Sequence, residues 1–181
     1  MWSRIIYLLI ALCPLSINAQ QKFVIEQGTI RFTSNAELEL IQAASDKVQG
    51  LLDDSNKFAF FVEIRSFKGF NSQLQREHFN EKYLESERYT KATFVGKIIE
   101  EIDLTKPATY EVRAKGELDI HGVKQARIIK SKITVSGNKI SIESRFFVPL
   151  SDHNISIPQI VNRKIATEIE IAFTATLVLK K

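Results

Sequence analysis

The sequence predicts an all-β fold: an antiparallel barrel of about eight strands with one short helix covering an end. Three observations carry that prediction. Six stretches alternate apolar and polar residues with period two and are rich in Val, Ile and Phe, the pattern of strands with one buried face. Small residues recur in mid-strand on the apolar face, at Gly96, Ala114, Gly116, Ser131, Ser144 and Thr167, where a filled core would place larger side chains. Turn clusters separate the stretches at short intervals, and no internal repeat or low-complexity linker interrupts them.

In chain order, Met1 to Ala19 carries one basic residue, an apolar run from Ile5 to Leu12, Pro14 and a small residue at the end, which reads as a secretory signal peptide. Cys13 follows Leu12 rather than a small residue, so a lipoprotein signal fits less well. The mature domain is expected over residues 20–181. Phe23 to Thr33 reads as a first strand bent at Gly28, and Glu37 to Leu52 as a long irregular strand despite its helix-forming residues. Asp53-Asp54-Ser55-Asn56 is a turn, leading to Phe58, Phe60, Val62 and Ile64 on one apolar face. Phe67 and Phe70 follow. Then the period changes: Leu74, His78, Phe79 and Tyr83 fit an amphipathic helix within residues 73–84, with Ser72 as its cap.

The next strand presents Ala92, Phe94, Gly96 and Ile98; after Lys106-Pro107 another presents Tyr110, Val112, Ala114, Gly116, Leu118 and Ile120. His121-Gly122 and Gly137-Asn138 are hairpin signals. Between them Val123, Ile129, Ser131, Ile133 and Val135 share a face, and Ile140, Ile142, Ser144, Phe146 and Val148 form the next. Ser151 to Asn162 is the longest irregular connection before a final strand running from Ile165 through Ile171 and Phe173 to Leu179. The polar alternates, such as Glu111, Arg113, Lys115 and Glu117, are expected to face water.

Charge and cysteine content exclude several functions. The formal charge of +4 falls to +3 on removal of the leader, which holds Arg4 and no acidic residue, and the charges are interspersed. There is no basic stripe for nucleic acid, and only weak, transient contact with anionic lipid headgroups is left open. Without its leader the chain has no cysteine, so burial rather than disulfides must hold it together. His78, His121 and His153 lack metal-ligand spacing, no Ser sits in a Gly-x-Ser-x-Gly elbow, and no phosphate-binding Gly-rich loop occurs. No catalytic residue, metal or cofactor is assigned.

Phe67-Lys-Gly-Phe70, Glu77 to Ser86, Tyr89-Thr-Lys-Ala-Thr-Phe-Val-Gly96 and Gly116-Glu-Leu-Asp-Ile-His-Gly-Val123, in this order and spacing, resemble the YceI-like polyisoprenoid-binding family across essentially the whole mature chain. Thr90 stands where that family usually has proline. The resemblance implies an extended lipocalin-like barrel, periplasmic or secreted, that binds an isoprenoid or other long-chain lipid rather than catalysing a reaction. The expected ligand-lining set is Phe58, Phe60, Val62, Ile64, Phe67 and Phe70, then Phe94, Gly96, Ile98, Ala114, Gly116 and Leu118, and finally Ile133, Ser144, Phe146, Ile171 and Phe173. Arg65, Lys68, Arg76, His78 and Lys82 are headgroup candidates near the helix. The competing function is a non-catalytic structural or interaction barrel of the cell envelope.

Overall fold

The computed structural model describes residues 21–180, so the expected signal peptide and the Cys13 alternative lie outside the described residues. Nine strands follow in order: β1 (Lys22–Asn35), β2 (Leu40–Ser45), β3 (Val48–Asp53), β4 (Lys57–Glu63), β5 (Lys91–Ile98), β6 (Ala108–Ile120), β7 (Val123–Ser136), β8 (Lys139–Pro149) and β9 (Glu168–Leu179). Every pairing is antiparallel. β1 pairs with β3 on one side and with β9 on the other, which closes β1 and β3 to β9 into an eight-stranded barrel with β2 as an extra strand on β1.

β2 and β3 are the two halves of the expected irregular strand. Both pair with β1, at Ile30↔Ser45 and Val24↔Leu51, and the break falls at Asp46-Lys47. Residues 36–39, whose composition favours helix, form the turn into β2, closed by Ala36 N–H donating to Glu39 O. β1 bends earlier than Gly28: its register against β9 shifts between Ile25 and Gln27. β9 begins at Glu168, later than the alternation suggests, and Thr167 is exposed outside it rather than inward on a strand. The residues before it are drawn into other contacts, Ala166 N–H donating to Ser34 Oγ and Leu150 N–H to Thr167 O.

The two ends of the barrel differ. At one end Leu52, Phe58, Ile98, Val135, Ile140 and Leu177 pack solidly, and Ile102 and Leu104 from the connection between β5 and β6 close it. At the other end the chain from Ile64 to Thr90 folds over the opening. Its helix, α1 (Gln73–His78), is capped by Ser72, whose side chain accepts from Gln75 N–H, and it continues as a π-helical turn over Phe79–Tyr83. Phe79 brings this segment onto Phe32, Phe67 and Phe70, with ring centroids 5.1–5.7 Å apart. Burial of that aromatic face is what holds so short a helix in place.

One seam in the wall is incomplete. β7 pairs with β8 only from Ser131↔Ser144 to Ser136↔Lys139, so toward the helix end Val123 to Lys130 have no ladder to Arg145–Pro149. A 3-10 turn at Leu150–His153 occupies the gap.

Candidate functional site

Period-two alternation sends one face of each strand inward, and between the packed end and the aromatic end those faces do not meet. They leave a cavity of about 100 Å³. Of the expected lining residues, Phe58, Phe60, Val62, Phe94, Ile98, Ala114, Leu118, Ile133, Ser144, Phe146 and Phe173 stand on its wall. Ile30, Val48, Leu52, Val112, Ile129, Ser131 and Ile142 join them. The wall is almost wholly apolar. Its clearest polar feature is the pair Ser131 and Ser144, opposite each other on β7 and β8, whose hydroxyl oxygens are 2.6 Å apart and satisfy each other away from water.

The remaining six lie elsewhere. Phe67 and Phe70 belong to the aromatic cluster at the helix end, with Ile171 packed at its edge, and Ile64 packs with Leu84 and Ile155 under the π-helical turn. Gly96 and Gly116 face each other across β5 and β6, but they do not leave room inside. A Cβ on Gly116 would stand 2.5 Å from the Val95 carbonyl oxygen and 2.9 Å from the Phe94 ring, and one on Gly96 would stand 2.1 Å from the Lys115 carbonyl oxygen. These glycines let two backbones close up and a phenylalanine lie over the gap. The mid-strand small residues are thus of two kinds, and only the serines and Ala114 border the cavity.

The segments that carry the family resemblance converge at the helix end. His121 and Gly122 make the β6–β7 turn with φ of 55° and 71°. The Tyr89 ring lies edge-on to His121 at 4.7 Å, so close over Gly122 that a Cβ there would meet Tyr89 Cε1 at 2.3 Å. His121 Nδ1 is 3.1 Å from the His153 carbonyl oxygen and Nε2 is 3.0 Å from Glu85 Oε1, so both ring nitrogens face oxygen acceptors. His153, expected in a polar loop, is fully buried, its Nδ1 donating to the Val123 carbonyl oxygen at 3.0 Å. These histidines tie the turn, the helix segment and the 3-10 turn together. Among the described residues no three His, Cys, Asp or Glu side chains converge to hold a metal ion.

The basic candidates near α1 lie outside the barrel. Arg65, Lys68 and Arg76 border a polar surface basin shared with Glu77 and Glu81. Arg65 is paired with Glu87, and Arg76 donates to the Arg65 carbonyl oxygen. Sequence reading missed a different polar group, Gln125 and Arg127 on β7. The β6–β7 register is unbroken from Ala108↔Val135 to Ile120↔Val123, so these two share the inward parity of Ile129 and Ser131. The signal was present in the alternation, hidden because polar residues occupy two consecutive inward positions.

Comparison with known proteins adds the following. The YceI-like domain family matches residues 17–177. Among solved structures, a polyisoprenoid binding domain from Saccharophagus degradans implicated in plant cell wall breakdown is 15% identical; the match covers 87% of this chain and 98% of that one, with a TM-score of 0.75. Burkholderia cenocepacia BcnA is 16% identical over 82% of this chain and 95% of its own, with a TM-score of 0.67. A Campylobacter jejuni YCEI protein is 15% identical over 81% and 89%, with a TM-score of 0.61. At these identities the likeness is one of fold. Comparison with curated proteins found no match.

Proposed function

Because the chain belongs to the YceI-like domain family, we propose that it is a periplasmic or secreted carrier that holds an isoprenoid or similar long-chain amphiphile in the barrel interior. The observation that carries this reading is the mid-barrel cavity, walled by apolar side chains and closed at one end by a packed core. Each methylene taken from water into such a wall contributes about 0.8 kcal/mol. The polyisoprenoid binding domain from S. degradans, of the same fold, supports the ligand class by analogy.

At about 100 Å³ the empty cavity is smaller than the roughly 300–1,000 Å³ usual for drug-sized ligands, so a long chain must part the walls. Phe60, Phe94, Phe146 and Phe173 line it without being fully buried, and on this reading theirs are the rings that a long chain displaces. Native mass spectrometry of protein purified from the envelope of its own host, followed by lipid extraction, tests the reading. A bound long-chain amphiphile is expected. Lipid-free protein that instead co-purifies with a stable protein partner would favour the structural-barrel alternative. Sequencing the exported chain checks the location, with a start at Gln20 expected.

A further inference from the structure

Through all its barrel strands the alternation sends only one charged side chain inward among the described residues, and that is Arg127. It stands opposite Gly116 in the β6–β7 ladder and two residues from Ile129 on the cavity wall. It also stands at the incomplete β7–β8 seam. Its Nη1 donates to Asp152 Oδ2 at 3.1 Å and its Nη2 to the Phe147 carbonyl oxygen, while Gln125 Nε2 donates to the Asp152 carbonyl oxygen at 2.7 Å. Side chains therefore bridge the seam where a strand ladder would otherwise run.

A guanidinium carries five N–H donors, and these contacts use two, which leaves three without an acceptor among the described residues. About a quarter of the side chain is exposed, 26%. An inward cation whose spare donors reach solvent at the seam stands beside an apolar cavity, and a ligand oxygen can take the place of that water. That arrangement suits a ligand with one oxygen-bearing end. Resting on the proposed function above, we propose that Arg127, with Gln125, is the head-binding site of the barrel: it takes an acceptor oxygen of the amphiphile at the β7–β8 seam while the chain fills the cavity. The shared chemistry is an oxygen acceptor, neutral as in an alcohol or anionic as in a phosphate. An anion on the free donors is repelled by the Asp152 carboxylate beside it, whereas a neutral oxygen joins them without that repulsion.

The test is competition against diphenylhexatriene, a headless fluorescent probe, by phytane, phytanol and phytanyl phosphate, which share one chain. In the wild-type protein at least one headed ligand is expected to bind more tightly than phytane. In Arg127→Met that preference over phytane falls about ten- to hundred-fold, the worth of a hydrogen bond to a charged group. Gln125→Leu is expected to move the preference in the same direction, and cooperative thermal unfolding of both variants verifies that they fold. Asp152→Asn assigns the head: tighter binding of the phosphate alone marks an anion, and no change marks a neutral oxygen, both in keeping with the site. Equal head preference in wild type and both folded variants overturns it. A wild-type protein that takes up neither probe nor phytane overturns the cavity reading, and this site with it.

Discussion

Gly116 and Ser144 both sit at mid-strand on an inward face, and the structure gives them opposite roles. Adding even a methyl group at Gly116 drives it into the Val95 carbonyl oxygen, a backbone atom that cannot swing aside. Gly116→Ala is therefore expected to cost about 1–3 kcal/mol, which for a domain of this size lowers Tm by roughly 2–10 °C; calorimetry measures it. An unchanged Tm would contradict the close approach of β5 and β6. Ser144 borders open space, so Ser144→Phe is expected to fill the cavity and abolish uptake of a long-chain probe while unfolding stays cooperative. Uptake equal to wild type in the folded variant would place the ligand elsewhere. Residue identity alone does not separate the two cases, because Gly and Ser are both small and what differs is the distance to the next strand. Arg127 illustrates the converse: its inward parity follows from the alternation once Ile129 and Ser131 are set, yet its charge argues for water, and the incomplete seam lets it have both.

At the scale of elements, the connection between β5 and β6 shows how a loop becomes a plug. It buries Ile102 and Leu104 in the core, and its carboxylates fix its path. Asp103 is held down to about 2 by the Thr105 hydroxyl, the Lys106 ammonium and the Thr105 backbone N–H. The Arg113 backbone N–H, then its guanidinium, hold Glu100 below its ordinary value. A carboxyl whose folded pKa is depressed contributes stability that is fully present above its unfolded pKa, near 4, and is lost as pH falls through the folded value. The plug is thus expected to loosen between about pH 4 and pH 2, seen as faster amide exchange over residues 99–107 than over β7. Exchange that quickens equally in both would mean global unfolding instead. Element boundaries were legible where local chemistry sets them: the Ser72 cap, the His121-Gly122 and Gly137-Asn138 turns, and the turn at 53–56. They were not legible where distant partners decide, as at Ala166 and Thr167, where contacts to Ser34 and Leu150 delay the start of β9.

For the whole molecule, closure through β1 and β9 joins the first and last strands, so the barrel forms only when contacts far apart in sequence are made together. The alternation made the inward faces of β4 to β9 readable, because one period governs all six, whereas β1 shifts register and β2 and β3 are two strands where one was expected. The hollow was only partly readable, since its limits depend on how far the two clusters at the ends extend, with Phe32, Phe67, Phe70 and Phe79 filling the helix end. Enlarging the cavity isolates its role: Phe94→Ala is expected to cost about 3–5 kcal/mol in stability and yet to shift the preferred chain toward greater length, read by competition with alcohols of graded length.

The most direct test of the central claim is the dependence of affinity on hydrocarbon length, measured by titrating delipidated protein with saturated alcohols of increasing chain. Burial in the barrel predicts a gain of about 0.8 kcal/mol per methylene, roughly four-fold in Kd, until the interior is full and the curve levels. Affinity flat with chain length, or tight binding of short polar alcohols, would contradict a barrel that holds its ligand by the chain.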